Sequence, residues 1–354
     1  MSSVLRFGIV GCGGIVRKHH LRNLLRHPDR FHVAALCDVD EMSVRAASEA
    51  SGAKPYGDFR GMMESEPLDA VLVATPHHAH AEPVLMAAER GLHVLLEKPM
   101  AITLDDCERM VAACSSAGVT FMVAENERYK PNFRSVGRAI CGGLIGDVLA
   151  IRAEMYGRGD RANEPDHWLH DPERSGGGIV IALAIHRLDV MRWLGGPLRS
   201  VSAAFEAFEG KRPGIERIAS VQLRFASGAV GHFLSAEVPA PPPKSGALLV
   251  MGTRGTIGVL MPGAGYNGPA VLFRPDDAAP TPLPLDRDGL ASDDAFDAEI
   301  LHFASCVESA LEPHTSGRDN LETMRLVFAA YESARSGRVV ELPSPLRRTK
   351  GPTV

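Results

Sequence analysis

The chain has 354 residues, 45% of them hydrophobic and 23% charged; at about 150 residues per domain this predicts two domains or one large one, and excludes a stapled mini-scaffold or a disordered chain. Thirty-eight basic against 43 acidic side chains give a formal charge of −5 with no long Lys/Arg block, which argues against a nucleic-acid partner. The six cysteines (Cys12, Cys37, Cys107, Cys114, Cys141 and Cys306) form no CxxC pair and no zinc-ligand spacing. With neither a leader pattern nor an apolar span of about 18 residues, the expectation is a cytoplasmic protein with no metal and no membrane contact.

The first apolar run, Leu5 to Val10, leads through Gly11, Cys12, Gly13, Gly14, Ile15 and Val16 into a helical segment centred near residue 22. In a GxGxxG turn the first Gly allows a sharp bend, and the second lets a diphosphate approach the N–H groups and dipole of the helix start. Gly11 and Gly13 fill those places, Gly14 and Ile15 complete the loop, and Val16 stands where a third Gly or Ala is usual. In the helix, amphipathy puts Leu21, Leu24 and Leu25 inward and His19 and His20 on the surface. The second run, His32 to Cys37, ends at Asp38, 22 residues beyond Val16. A carboxylate there accepts from both ribose hydroxyls and repels a 2′-phosphate, which favours NAD over NADP. The competing reading has Asp38 capping the helix near Glu41, with Asp40 as a rival for the ribose.

Runs at Asp69 to Ala74, His93 to Leu96 and Thr120 to Ala124 alternate with helical segments near 46, 85 and 110, the grammar of βαβ units around a parallel sheet. Pro28, Gly91 and the Thr103–Asp106 spacing mark helix ends. From about residue 145 the pattern changes to a helix at Ile179 to Leu194 and strand-like runs at 201–207, 217–225, 229–236 and 247–251, a mainly antiparallel sheet with a tight connection at Ala226, Ser227 and Gly228. Segments 239–243 and 262–287 read as loops, and Leu321 to Ser336 as a closing helix.

The runs ATPHHAH (Ala74 to His80), LLEKPMA (Leu95 to Ala101) and GGGIVIALAIHRLD (Gly176 to Asp189), together with the glycine loop, resemble the Gfo/Idh/MocA oxidoreductases, typified by inositol dehydrogenase and glucose-fructose oxidoreductase. The resemblance covers nearly the whole chain. It implies an α/β Rossmann domain over 1–125 and an α+β domain over 126–354, whose large open, mainly antiparallel sheet serves substrate binding and oligomerisation as a dimer or tetramer. It also implies NAD(H)-dependent hydride transfer at a carbinol or carbonyl of a polyol, sugar or sugar derivative, with nicotinamide and substrate meeting between the domains. Lys98 then lies near the reacting carbinol and Pro99 shapes its loop, commonly through a cis bond. An ammonium at the carboxyl end of a parallel strand suits an oxygen that gains charge as hydride leaves; the bland reading of Lys98 is an ion pair with Glu97 or another acid. Thr75, His77, Glu97 and Asn126 carry over as cofactor contacts alongside Lys98, and Arg128, Tyr156, His167, Trp168 and Asp189 as substrate candidates. His77, His78 and His80 also invite a metal reading, weakened by the want of an acidic or cysteine partner nearby.

The family's second-domain helix reads GGxxxDxGxHxxD, with Asp and His at i and i+4. Here the Asp position is Ala182 and the following Gly position is Ala184, while His186 and Asp189 remain. Three readings stay open: His186, aided by Lys98, is the sole base; a substitute comes from Asp166, His167, His170, Asp171 or Tyr156; or the protein binds NAD without net redox chemistry, as a sensor or as a glycosidase or lyase using NAD catalytically. Asp189 either holds His186 or pairs with Arg192 at i,i+3.

Overall fold

The structure is a computed structural model that describes residues 4–157, 167–207, 215–237, 248–259, 268–288, 290, 292 and 294–343. The expected loop at 239–243, part of the 262–287 loop and the candidate Asp166 lie outside these residues. The chain forms two compact units: Met1–Asn126 with Gly289–Leu321, and Glu127–Asp288 with Glu322–Val354. The expected division is a single cut after 125, whereas here a later segment joins the first unit.

In the first unit β1 (Leu5–Val10) leads through a π-helical turn at Val16–His20 into α1 (Leu21–Arg26). There follow β2 (Phe31–Cys37), α2 (Glu41–Ser51), β3 (Lys54–Tyr56), α3 (Phe59–Ser65), β4 (Ala70–Val73), α4 (Ala81–Glu89), β5 (His93–Leu96), α5 (Leu104–Ala117) and β6 (Phe121–Val123). All pairings are parallel, in the order β3-β2-β1-β4-β5-β6. The strand order therefore reverses between β1 and β4, and the crevice beyond their carboxyl ends is the usual ligand position of such sheets. The core is the doubly covered sheet: Phe7, Ile9, Leu36, Leu72 and Leu96 are fully buried. Asp40, not Asp38, caps α2, accepting from the N–H groups of Met42 and Ser43; Thr103 caps α5 through the Asp106 N–H.

The second unit holds α6 (Pro131–Cys141), β7 (Val148–Gly157), α7 (Pro172–Ser175), a π-helical turn at Val180–Ala184 continuing as α8 (Ile185–Gly195), β8 (Leu198–Glu206), β9 (Ile218–Phe225), β10 (Val230–Glu237), β11 (Leu248–Gly252), β12 (Thr256–Val259), β13 (Val271–Phe273) and β14 (Thr281–Pro282). Then come α9 (Ala295–Ser309), which belongs to the first unit, α10 (Gly317–Ser336) and β15 (Val340–Glu341). The nine-stranded sheet runs β14-β13-β12-β11-β7-β10-β9-β8-β15 and is antiparallel except where β10 lies parallel to β7. Gly228, with φ of 94°, makes the β9–β10 connection. The expected loop at 262–287 contains β13 and β14. Among the described residues no helix is long and apolar enough to cross a membrane.

Candidate active site

The shape of the glycine loop is dictated by what its backbone must do. Gly11 has φ of 95°, and a Cβ there would stand 2.5 Å from the Ala74 carbonyl oxygen, so β1 and β4 meet only because this residue has no side chain. A Cβ on Gly13 or Gly14 would meet nothing within 4 Å. These two need no glycine for the protein's own packing; bare backbone beside an opening helix is the cradle a dinucleotide diphosphate requires, and the residues present fit NAD. Asp38 ties the loop to β2: its Oδ2 accepts the Cys12 N–H at 2.6 Å and its Oδ1 the Asp40 N–H at 2.9 Å. A carboxylate offers about four acceptor directions, so Asp38 keeps capacity for ribose hydroxyls. The helix-capping reading of Asp38 fails, because Asp40 is engaged as that cap.

The helix after the loop departs from expectation. Leu21 and Leu24 are buried as expected, but His20 is fully buried and Leu25 is 41% exposed, against the amphipathic reading. His20 closes the π-helical turn at Val16–His20 and is held inside by a buried acidic partner. Inside, His20 Nε2 lies 2.7 Å from Glu97 Oε1, and the Lys98 N–H donates to Glu97 Oε2 at 3.2 Å. Glu97, expected as a cofactor contact, is thus 7% exposed with both oxygens engaged from within the protein.

Lys98 follows the carboxyl end of β5, and the Lys98–Pro99 bond is cis, as the resemblance implied. The turn is fastened by His80, which has no exposed surface: Nδ1 lies 2.9 Å from the Pro99 carbonyl oxygen and Nε2 2.9 Å from that of Thr75. Burial pushes His80 below the usual histidine range although the carbonyls at its nitrogens pull upward. With both nitrogens facing carbonyls, His80 is unsuited to a metal, and among the described residues no cluster of His, Cys, Asp or Glu has metal-holding geometry. His77 is buried at the start of a 3₁₀ turn beyond Thr75, His78 is exposed, and Asn126 opens another such turn after β6.

In the second unit Ala182 and His186 are both partly exposed, while Ile181, Ile185 and Asp189 are buried, so the position where the family has Asp shares the open side of the helix with His186. Arg128 and Asp189, expected near substrate, pair with each other instead. Arg128 Nε and Nη2 each donate at 2.6 Å to the two Asp189 oxygens, Thr323 Oγ1 donates at 2.6 Å, and Arg192 lies 3.5 Å away. Asp189 has no exposed surface, so a buried ion pair replaces the substrate contact. Glu127 pairs with Arg187 and Lys130; burial alone would raise its pKa, but Arg187, Lys130 and His186 outweigh that and hold it at about 2. Tyr156 ends β7 half-buried, its phenol pushed up by burial and by Glu154. His167 Nδ1 accepts the Leu169 N–H, and its ring stacks on Trp168 at 5.7 Å. Glu216 and Tyr331, which no local pattern in the sequence marks, hold the start of the His186 helix.

Residues 5–125 match the family profile described as an oxidoreductase family with NAD-binding Rossmann fold, and residues 133–258 match that of the Gfo/Idh/MocA C-terminal domain. Over 360 residues the chain is 35% identical to a D-apiose dehydrogenase of Paraburkholderia graminis, covering 97% of this chain and 92% of the relative. The chain belongs to the Gfo/Idh/MocA oxidoreductase family. As a member it is an oxidoreductase whose first domain is an NAD-binding Rossmann domain, and the non-redox alternative is not favoured. It is also 28% identical to D-xylose 1-dehydrogenase (NADP(+)) 2 of Haloferax volcanii, covering 96% of this chain and 100% of the relative. Among solved structures it is similar to the WlbA dehydrogenase of Bordetella pertussis in complex with NADH and UDP-GlcNAcA, with a TM-score of 0.83, 28% identity and coverage of 96% of this chain and 98% of that one.

Proposed function

We propose that the protein is an NAD-dependent dehydrogenase or reductase acting on a CH–OH group of a sugar, polyol or sugar derivative. The observation that carries this reading is the end-to-end similarity to a D-apiose dehydrogenase, joined to a glycine loop that fits the coenzyme. Gly11, Gly13, Gly14 and Ile15 receive the diphosphate, Asp38 the adenosine ribose, and Thr75, His77 and Asn126 line the rest of the coenzyme. Bound NAD supplies the hydride acceptor. Lys98 donates to the substrate oxygen and stabilises the charge that builds there; His186 takes the hydroxyl proton. Tyr156, His167 and Trp168 supply the polar and aromatic surface for a sugar. In this reading the protein works in the cytoplasm as a homo-oligomer; six free cysteines fit a reducing setting.

The test is a panel of aldoses and polyols with NAD and with NADP, following absorbance of the reduced coenzyme. Stoichiometric NADH is expected, and Lys98→Ala lowers kcat by roughly 10²- to 10⁴-fold. Turnover with no net change in coenzyme would overturn the dehydrogenase reading, and a Lys98→Ala variant as fast as wild type would overturn the role of Lys98.

A further inference from the structure

The helix that carries His186 begins on a single foreign residue. The Glu216 carboxylate accepts the Gly178 N–H through both oxygens, at 2.9 and 2.8 Å, and the Val180 N–H at 3.1 Å, while the Glu216 backbone carbonyl accepts the Ile179 N–H at 3.0 Å. Three consecutive N–H groups that a helix start leaves without intrahelical partners are thus satisfied from the foot of β9. Tyr331, on α10, donates its O–H to Glu216 Oε1 at 2.6 Å. The two glycines ahead of the helix exist for this seat. A Cβ on Gly177 would lie 2.1 Å from the Tyr331 hydroxyl, and one on Gly178 would lie 2.1 Å from the Glu216 carbonyl oxygen.

Glu216 is 7% exposed, and burial raises its pKa. Its oxygens are spent on the helix and on Tyr331, so it does not stand in for the acid absent at Ala182. What it controls is where the helix starts. His186 lies eight residues beyond Gly178 along one continuous helical run, so a shift at the seat is carried to the imidazole.

We infer that Glu216 and Tyr331 are positioning residues for His186, fixing the start and rotation of its helix through the Gly177–Gly178 seat. The inference rests on the reading of His186 as the proton acceptor. A displacement of about 1 Å in a reacting group costs up to about 100-fold in rate, so a loosened seat appears in kcat while coenzyme affinity, set in the first unit, stays put.

The experiment compares wild type with Tyr331→Phe, which keeps the ring and removes only the hydroxyl, and with Glu216→Gln, which keeps an acceptor and the shape. Tyr331→Phe should lower kcat about tenfold with the dissociation constant for NAD within about twofold of wild type; Glu216→Gln, which sets an NH2 donor against the helix N–H groups, should lower kcat at least as far. The ring resonances of His186, assigned by their loss in His186→Gln, should shift in Tyr331→Phe while other histidine signals stay in place. Unchanged His186 resonances, or an unchanged kcat in a folded Tyr331→Phe protein, overturn the inference. If Glu216→Gln fails to fold, Tyr331→Phe decides. If wild type oxidises no sugar or polyol, the proposed function fails, and the resonance shift still reads the seat by itself.

Discussion

Arg128 and Asp189 lie fork to fork, two hydrogen bonds of 2.6 Å joining a buried guanidinium to a buried carboxylate. The pair joins the turn after β6 to α8, and Thr323 and Arg192 occupy what remains of the carboxylate. Asp189→Ala leaves a buried guanidinium without its main partner, so we expect a loss of about 3–5 kcal/mol in unfolding free energy, read by urea denaturation. A loss under about 1 kcal/mol would mean that the ion pair is replaceable.

Gly11 and Gly13 separate folding from coenzyme binding. Gly11→Ala drives a Cβ into the Ala74 backbone at a positive φ, so the melting temperature should drop along with NAD affinity. Gly13→Ala meets no protein atom, and it should melt like wild type while binding NAD at least about tenfold more weakly by calorimetry. Wild-type affinity in Gly13→Ala would remove the diphosphate from this loop.

Ala182 sits four residues before His186 on the open side of its helix. Ala182→Asp restores the carboxylate typical of the family, and kcat on an accepted sugar is expected to rise about tenfold, less than a full acid–base contribution because His186 already supplies a base. No gain would identify another side chain as already filling that place.

Two buried carboxylates set opposite pH trends. Glu127, held at about 2, contributes stability that is complete above its ordinary value of 4.5 and lost as pH falls from there toward 2. Glu299, on α9, is fully buried, with no hydrogen-bond partner for either oxygen among the described residues; burial first, then the charges of Glu97 and Glu125, raises it well above 4.5. Folding above pH 4.5 therefore requires Glu299 to take up a proton, and stability falls as pH rises above that value. Glu299→Gln should be more stable than wild type at pH 7, with the difference vanishing near pH 3; Glu127→Gln should lose stability at pH 7 and little at pH 2. Urea unfolding across this range checks both signs.

The parallel sheet was legible because continuous apolar runs and glycine punctuation survive in any environment. β3, with its first two residues exposed, has no such run, and α9 joins the first unit from more than 160 residues beyond β6 with no local mark of its destination. The sharp turn at Gly11 was legible from the glycine pattern itself, and the cis Lys98–Pro99 bond from the resemblance carried by the EKP run. Arg128, Asp189 and Glu216 were not, since each acquires its role from a partner dozens of residues away. His20 lies inside because its partner is Glu97, 77 residues away, which no local pattern announces.

His80 makes two distant stretches of chain answer to one ring. The carbonyls of Thr75 and Pro99 belong to loops leaving different strands, yet each lies 2.9 Å from a nitrogen of the same imidazole. A neutral imidazole has a single N–H, so it bonds one carbonyl and turns a lone pair toward the other; only the protonated ring fastens both loops at once.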